Sequence, residues 1–235
     1  RYYDTLYLGL RSRQHYKLGN KKLQRVYYCR MLYEDADAVF LRMFETFMEA
    51  APQLVLQLTI LIINKEEPYG STWFYLLVLG CITSLVSMAW GLTAYARATR
   101  YTDHGKNNIS ALGSVVMLMW HTLTIGSRVL AMALFASNDD LRLWLIGVCL
   151  AHWILMVVWL MSRRSLNVVC STALGEIALS VVLGAVYIFS YVNEKDEPTR
   201  RKYALYYAVC GVENCLMMIL WLIYAQPQSP EYIPG

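Results

Sequence analysis

Five polar residues, Arg42, Glu45, Glu49, Gln53 and Gln57, recur at spacings of three and four inside the apolar run Val39 to Asn64, VFLRMFETFMEAAPQLVLQLTILIIN. A helix sets them in one lengthwise stripe and leaves Phe40, Phe44, Phe47, Leu54 and Leu58 on the remaining circumference. Carboxylates can answer ammonium groups and a guanidinium can answer phosphate, so the stripe has the chemistry to solvate a lipid headgroup in hydrocarbon. The same charges can instead form a buried ion-pair network that locks helices together. A carboxylate facing lipid costs at least a few kcal/mol, which predicts that both face other helices, a cation or water. Glu45 has Arg42 three residues before it as a pairing candidate, whereas Glu49 has no cation within one turn. Pro52 lacks an N–H and its ring frees the carbonyl of Met48, which predicts a softened or kinked helix where the polar residues are densest.

Three more charges interrupt apolar runs. Arg128 follows His121 by seven residues, on roughly one helical face of the run 109–136, and is the natural cation to answer an unpaired carboxylate; the alternative is snorkelling towards the next turn. Glu176 is the one charge in 166–192, about ten residues in and so near the bilayer middle, with Ser171, Thr172, Ala173, Gly175, Ala178 and Ser180 around it. Such small residues in a stretch longer than a span suit a re-entrant or broken segment. Glu213 and Asn214 lie near the centre of 203–225. With the stripe, Arg128, Glu176 and Glu213 form the candidate intramembrane charge network.

Other chemistries find no residues to carry them. Cys81, Cys149, Cys170, Cys210 and Cys215 lie in apolar runs and Cys29 in a basic one, and four scattered histidines give no metal spacing, so neither a metal nor a cofactor is expected. A phosphate-binding Gly-x-x-x-x-Gly-Lys loop, a dinucleotide fingerprint and a nucleophile elbow are all absent, which argues against an enzyme and makes any transport downhill. Nothing points to nucleic acid.

The elements that must position these charges follow from hydropathy. Hydrophobic residues make up 57% of the chain against 16% charged, and they cluster in long runs, which predicts an integral membrane protein. The fold class is all-α, a polytopic transmembrane helix bundle with about six spanning or re-entrant segments: 39–64, 72–95, 109–136, 141–162, 166–192 and 203–225. Residues 1–38 form a basic, aromatic-rich cytoplasmic or interfacial segment, 39–225 the transmembrane core and 226–235 the start of a cytoplasmic tail. The basic segment holds Arg1, Arg11, Arg13, Lys17, Lys21, Lys22, Arg25 and Arg30 with Asp4 alone opposing them before Glu34, either as ordinary positive-inside bias or as attraction to an anionic leaflet. Residues 96–108 read as a loop with Arg97, Arg100 and Lys106. With Arg163 and Arg164 they mark the cytoplasmic side, while Lys65 and the loop NEKDEPTRRK fall opposite. Asn108-Ile109-Ser110 fits a glycosylation sequon but abuts a span on the cytoplasmic side, so it is expected to be unused.

The run LRMFETFMEAAPQLVLQLTI resembles the signature of the XK-related family of multi-spanning membrane proteins, close to L-R-[LM]-[FL]-E-[ST]-F-[LM]-E-[AS]-A-P-Q-L-x-L-Q-L. The upstream YYDTLYLGLRSR and the spacing of the later hydrophobic segments are similar to that family as well, so the resemblance covers the whole chain. It implies energy-independent phospholipid scrambling, with phosphatidylserine exposure at the plasma membrane in members switched on by apoptotic proteolysis. In others it implies an adaptor, structural or small-solute transport role. The implied partners are phospholipids and the membrane, and a single-span or lipid-transfer protein fits the adaptor role. The family's first transmembrane helices are expected before Arg1 and its tail after Gly235, so the chain reads as a core segment, and no Asp-x-x-Asp cleavage motif occurs in it.

Overall fold

The structure, a computed structural model, describes residues 1–64, 71–102, 107–162, 173–193 and 200–225. Lys65, Lys106, Arg163, Arg164, Cys170, Ser171, Thr172, most of the loop NEKDEPTRRK and the tail 226–235 lie outside the described residues. Seven helices occur among the described residues: α1 Tyr2–Lys17, α2 Lys21–Ile63, α3 Thr72–Thr102, α4 Ala111–Ser137, α5 Asp139–Ser162, α6 Ala173–Tyr187 and α7 Arg200–Ala225. Helices α2, α3, α4, α5 and α7 are long and apolar enough to cross a membrane. The all-helical bundle expected from hydropathy is therefore what the chain forms.

Helix α2 is 43 residues long and passes without a break through the composition change near Ala38 and through Pro52. At ~1.5 Å per residue it is about 64 Å long, twice a ~30 Å hydrocarbon core, so only part of it can lie in lipid. Helix α3 also outruns its apolar stretch. Arg97 and Arg100, placed by hydropathy in a loop, sit on its last turns, where Thr99 and Thr102 return their hydroxyls to the carbonyls of Tyr95 at 3.0 Å and Thr99 at 2.7 Å. Hydropathy marks where lipid ends, whereas alanine and arginine sustain a helix in water as well.

The chain divides into two compact units, Arg1–Ala51 with Thr83–Thr124, and Pro52–Ile82 with Ile125–Gly235. In the first, α1 ends at Leu18 and the chain reverses through Gly19, whose φ of 71° suits the left-handed C-cap position. Asn20 donates its N–H back to the carbonyl of His15 at 3.0 Å, and its side chain accepts from the N–H of Leu23 at 3.3 Å to start α2. The resulting hairpin is fastened by His15 stacked on Tyr27 at 5.2 Å and by Arg1 paired with Glu34 at 2.6 Å. Further along, Met43, Phe44 and Phe47 of α2 are buried, as are Met88, Ala89 and Leu92 of α3. Gly91 of α3 faces Met43, where a Cβ would make an ordinary contact at 3.8 Å.

In the second unit Ala131, Met132 and Phe135 of α4 pack with Leu141 of α5 and Met217 of α7, and Val55 of α2 rests against them. One residue, Asn138, links α4 to α5 and caps α5 by accepting the N–H of Asp140 at 3.0 Å. Helix α6 packs on α5 at Gly184, where a Cβ would come within 2.6 Å of Val157 and 3.2 Å of Trp153. With 15 residues, α6 reaches about 22 Å, short of a ~30 Å core. Non-helical residues 188–193 continue it, and Ser190, Tyr191 and Val192 are buried. Irregular backbone at membrane depth is tolerated where protein surrounds it, and the first part of the expected broken segment 166–192 lies outside the described residues. Glu176 falls in the first turn of α6 as described, and the residues that precede Ala173 in the run 166–192 lie outside the described residues. That position favours a carboxylate through the helix dipole.

Candidate functional site

The first constellation is the polar row on α2. Arg42, Glu45, Glu49 and Gln53 are exposed, while Met43, Phe44, Phe47, Ala50, Ala51 and Leu54 between them are buried. The 3.6-residue repeat thus puts the phenylalanines inward and the charges outward, so of the surroundings expected for the two carboxylates neither other helices nor a cation is what the described residues give them, and water is the one left. No described residue forms an ion pair with Arg42, Glu45 or Glu49, and the candidate Arg42–Glu45 pair does not form. Thr46 binds instead to the backbone, its hydroxyl donating to the Arg42 carbonyl at 2.9 Å. The far end of the row closes: Gln57 is half-buried, its amide oxygen accepts from the Cys81 thiol at 3.9 Å, and a Cβ on Gly80 would meet that oxygen at 3.0 Å. If the last ~20 residues of α2 take the hydrocarbon core, Glu45 lies in their first turn and Glu49 one turn deeper, with Gln53 and Gln57 following. The row then runs from one interface inward. Pro52 is exposed on α2, which stays helical on both sides of it.

The second constellation is buried in the second unit. Arg128, only 2% exposed, donates from Nη2 to Glu213 at 2.5 Å, from Nη1 to Asn214 Oδ1 at 2.8 Å and from Nε to the Ile188 carbonyl at 3.1 Å. Its carboxylate is therefore Glu213 on α7, and the snorkelling alternative is excluded. His152 of α5 completes the group, with Nδ1 2.9 Å from each Glu213 oxygen and Nε2 3.1 Å from the Tyr187 carbonyl. Tyr206 donates its hydroxyl to that same carbonyl at 2.7 Å. The carbonyls of Tyr187 and Ile188 are those that the end of α6 leaves without helical partners, so Arg128, His152 and Tyr206 together cap a broken helix inside the bundle. An aromatic group of Tyr187, Tyr191, Tyr203, Tyr206 and Trp159 packs beside it, with neighbouring ring centroids 4.7 to 6.5 Å apart.

The eight charged and amide candidates thus divide. Arg128 and Glu213 meet; Arg42, Glu45, Glu49 and Gln53 share the outward row, whose end is Gln57; Glu176 stands at the start of α6. His152 was not legible as a member, since a lone histidine in LWLIGVCLAHWILMVVW carries no spacing signal. Among the described residues no group of histidine, cysteine or acidic side chains has a metal-binding arrangement.

A polar row of this kind on α2, carried by a bundle of long apolar helices, brings the sequence relationships to bear. The XK-related protein family model matches residues 1–234. The chain belongs to the XK-related family. It is 27% identical over 233 residues to Cell death abnormality protein 8 of Caenorhabditis briggsae, an alignment covering 96% of this chain and 49% of that relative. The chain accordingly spans about half the length of the curated relative it matches. This XK-related protein is a multi-pass membrane protein, with the α2 motif LRMFETFMEAAPQLVLQLTI at the centre of the family resemblance.

Proposed function

We propose that this XK-related chain is the core of an energy-independent phospholipid scramblase of the plasma membrane, which exposes phosphatidylserine during apoptosis. The observation that carries the reading is the outward row Arg42, Glu45, Glu49 and Gln53 on a helix long enough to span. A lipid that changes leaflet must bring a zwitterionic or anionic headgroup through hydrocarbon. An open polar row lets the headgroup move along the protein while the acyl chains stay in lipid. In this reading Glu45 and Glu49 meet the ammonium of choline, ethanolamine or serine, and Arg42 meets phosphate. The name of the C. briggsae relative refers to cell death, which supports the apoptotic setting. Nothing in the process forms or breaks a covalent bond.

The buried group of Arg128, Glu213 and His152 does not join this route, because its hydrogen bonds are spent on holding the end of α6. An XK-type adaptor or small-solute transporter remains the competing function. The full-length protein, before and after removal of its tail, is to be reconstituted in liposomes with a tail-labelled phospholipid and, separately, an entrapped headgroup-only solute. Lipid scrambling without solute flux is the expected result. Solute flux would make it a transporter, and neither flux in either form would make it an adaptor.

A further inference from the structure

The hydrogen-bond geometry of the buried cluster fixes more than its ion pair. Around His152 every neighbour within bonding distance is an acceptor. Nδ1 faces both oxygens of Glu213 at 2.9 Å, and Nε2 faces the Tyr187 carbonyl at 3.1 Å. A neutral imidazole has one N–H and one lone pair, so either neutral tautomer would point a lone pair at an oxygen in a site where the ring is fully buried. Such an unmade bond inside a protein carries the full desolvation cost of the group. Only the imidazolium, with an N–H on each nitrogen, satisfies both sides.

We infer that His152 is a resident proton-binding site, held as an imidazolium between the Glu213 carboxylate and the carbonyl that ends α6. The other groups around it agree with this assignment. From α4, Arg128 can only donate, and it occupies Oε2 of Glu213 at 2.5 Å, which makes that oxygen an acceptor. Moving the proton to the other carboxylate oxygen would sacrifice the ion pair with Arg128. From α7, Tyr206 donates its hydroxyl to the Tyr187 carbonyl and leaves no donor to face Nε2. The thiols Cys149 on α5 and Cys210 on α7 are the remaining titratable groups close to the pair, and neither is bonded to the ring. The cluster then carries two positive groups and one negative, tied to α4, α5, α6 and α7 at one point. Loss of the proton sets a lone pair against oxygen about 3 Å away, between α5 and either α7 or the end of α6.

The test is the nitrogen spectrum of the full-length protein, labelled with 15N in its histidines and held in lipid nanodiscs at pH ~7.5, with His152→Asn to assign the resonance. The expected signal for His152 is the imidazolium pattern, with a proton on each ring nitrogen. In Glu213→Gln the amide can donate to Nδ1, so the same resonance is expected to change to the neutral form with its proton on Nε2. A neutral His152 in the wild-type protein would overturn the assignment, as would an unchanged imidazolium in a folded Glu213→Gln variant. If that variant does not fold, the wild-type spectrum decides alone.

Discussion

Replacing Arg128 by Met removes three hydrogen bonds at once from a side chain that is 2% exposed. It leaves Glu213 without its guanidinium and the Asn214 oxygen and Ile188 carbonyl without donors. Breaking a buried pair costs about 3–5 kcal/mol. Glu213 keeps His152 and is 22% exposed, so the lower end, about 3 kcal/mol, applies to Arg128→Met. Glu213→Met leaves the guanidinium buried with its two neutral acceptors, for a loss of about 3–4 kcal/mol. The double variant removes the guanidinium and the carboxylate together and leaves only His152 Nδ1 without its partner, so it is expected to lose about 4 kcal/mol in total, a coupling of roughly 2–3 kcal/mol. Reversible unfolding of the four proteins in mixed lipid and SDS micelles measures the cycle. Single effects that add to within about 0.5 kcal/mol would refute the pairing as an energetic unit.

Three further outcomes follow from particular positions. Gly184→Val puts methyl groups where even a Cβ would lie 2.6 Å from Val157, and is expected to cost about 1–3 kcal/mol of stability in the same unfolding assay. Glu49 is exposed and has no ion-pair partner among the described residues, so neither Glu49→Gln nor Glu49→Leu is expected to lose more than about 0.5 kcal/mol of stability; a loss of several kcal/mol for Leu alone would show that Glu49 has a buried partner. Asn108, three residues before α4, is expected to stay unglycosylated in cells, because Arg97 and Arg100 at the end of α3 mark that side as cytoplasmic, and a glycan-dependent mass shift would invert the topology.

What could be read from the sequence differs by the range of the signal. The apolar runs that became α3, α4, α5 and α7 are local, and twenty residues of hydropathy suffice to place them. Arg128 announced itself as a charge that needs a carboxylate, but its partner lies 85 residues away on α7, and several acids were equally eligible. His152 gave no sign, because its role depends on a carbonyl at the end of α6 and a carboxylate on α7. The periodicity of Arg42, Glu45, Glu49 and Gln53 correctly put them on one face; that the face turns outward depends on Phe44 and Phe47 winning the packed side. The composition change near Ala38 marks no helix end: α2 carries through it, since helical backbone continues through polar and apolar residues alike.

The row on α2 is tested most directly by scrambling measured in proteoliposomes with the activated full-length protein and its Glu45→Gln/Glu49→Gln variant, alongside the unfolding assay. Labelled phosphatidylserine, phosphatidylethanolamine, phosphatidylcholine and a lipid without an ammonium group provide the headgroup series. The account predicts a variant that remains as stable as the wild type to within about 0.5 kcal/mol but scrambles the ammonium-bearing lipids more slowly, with its preference among headgroups altered. Rates and preferences identical to the wild type across the series would contradict it.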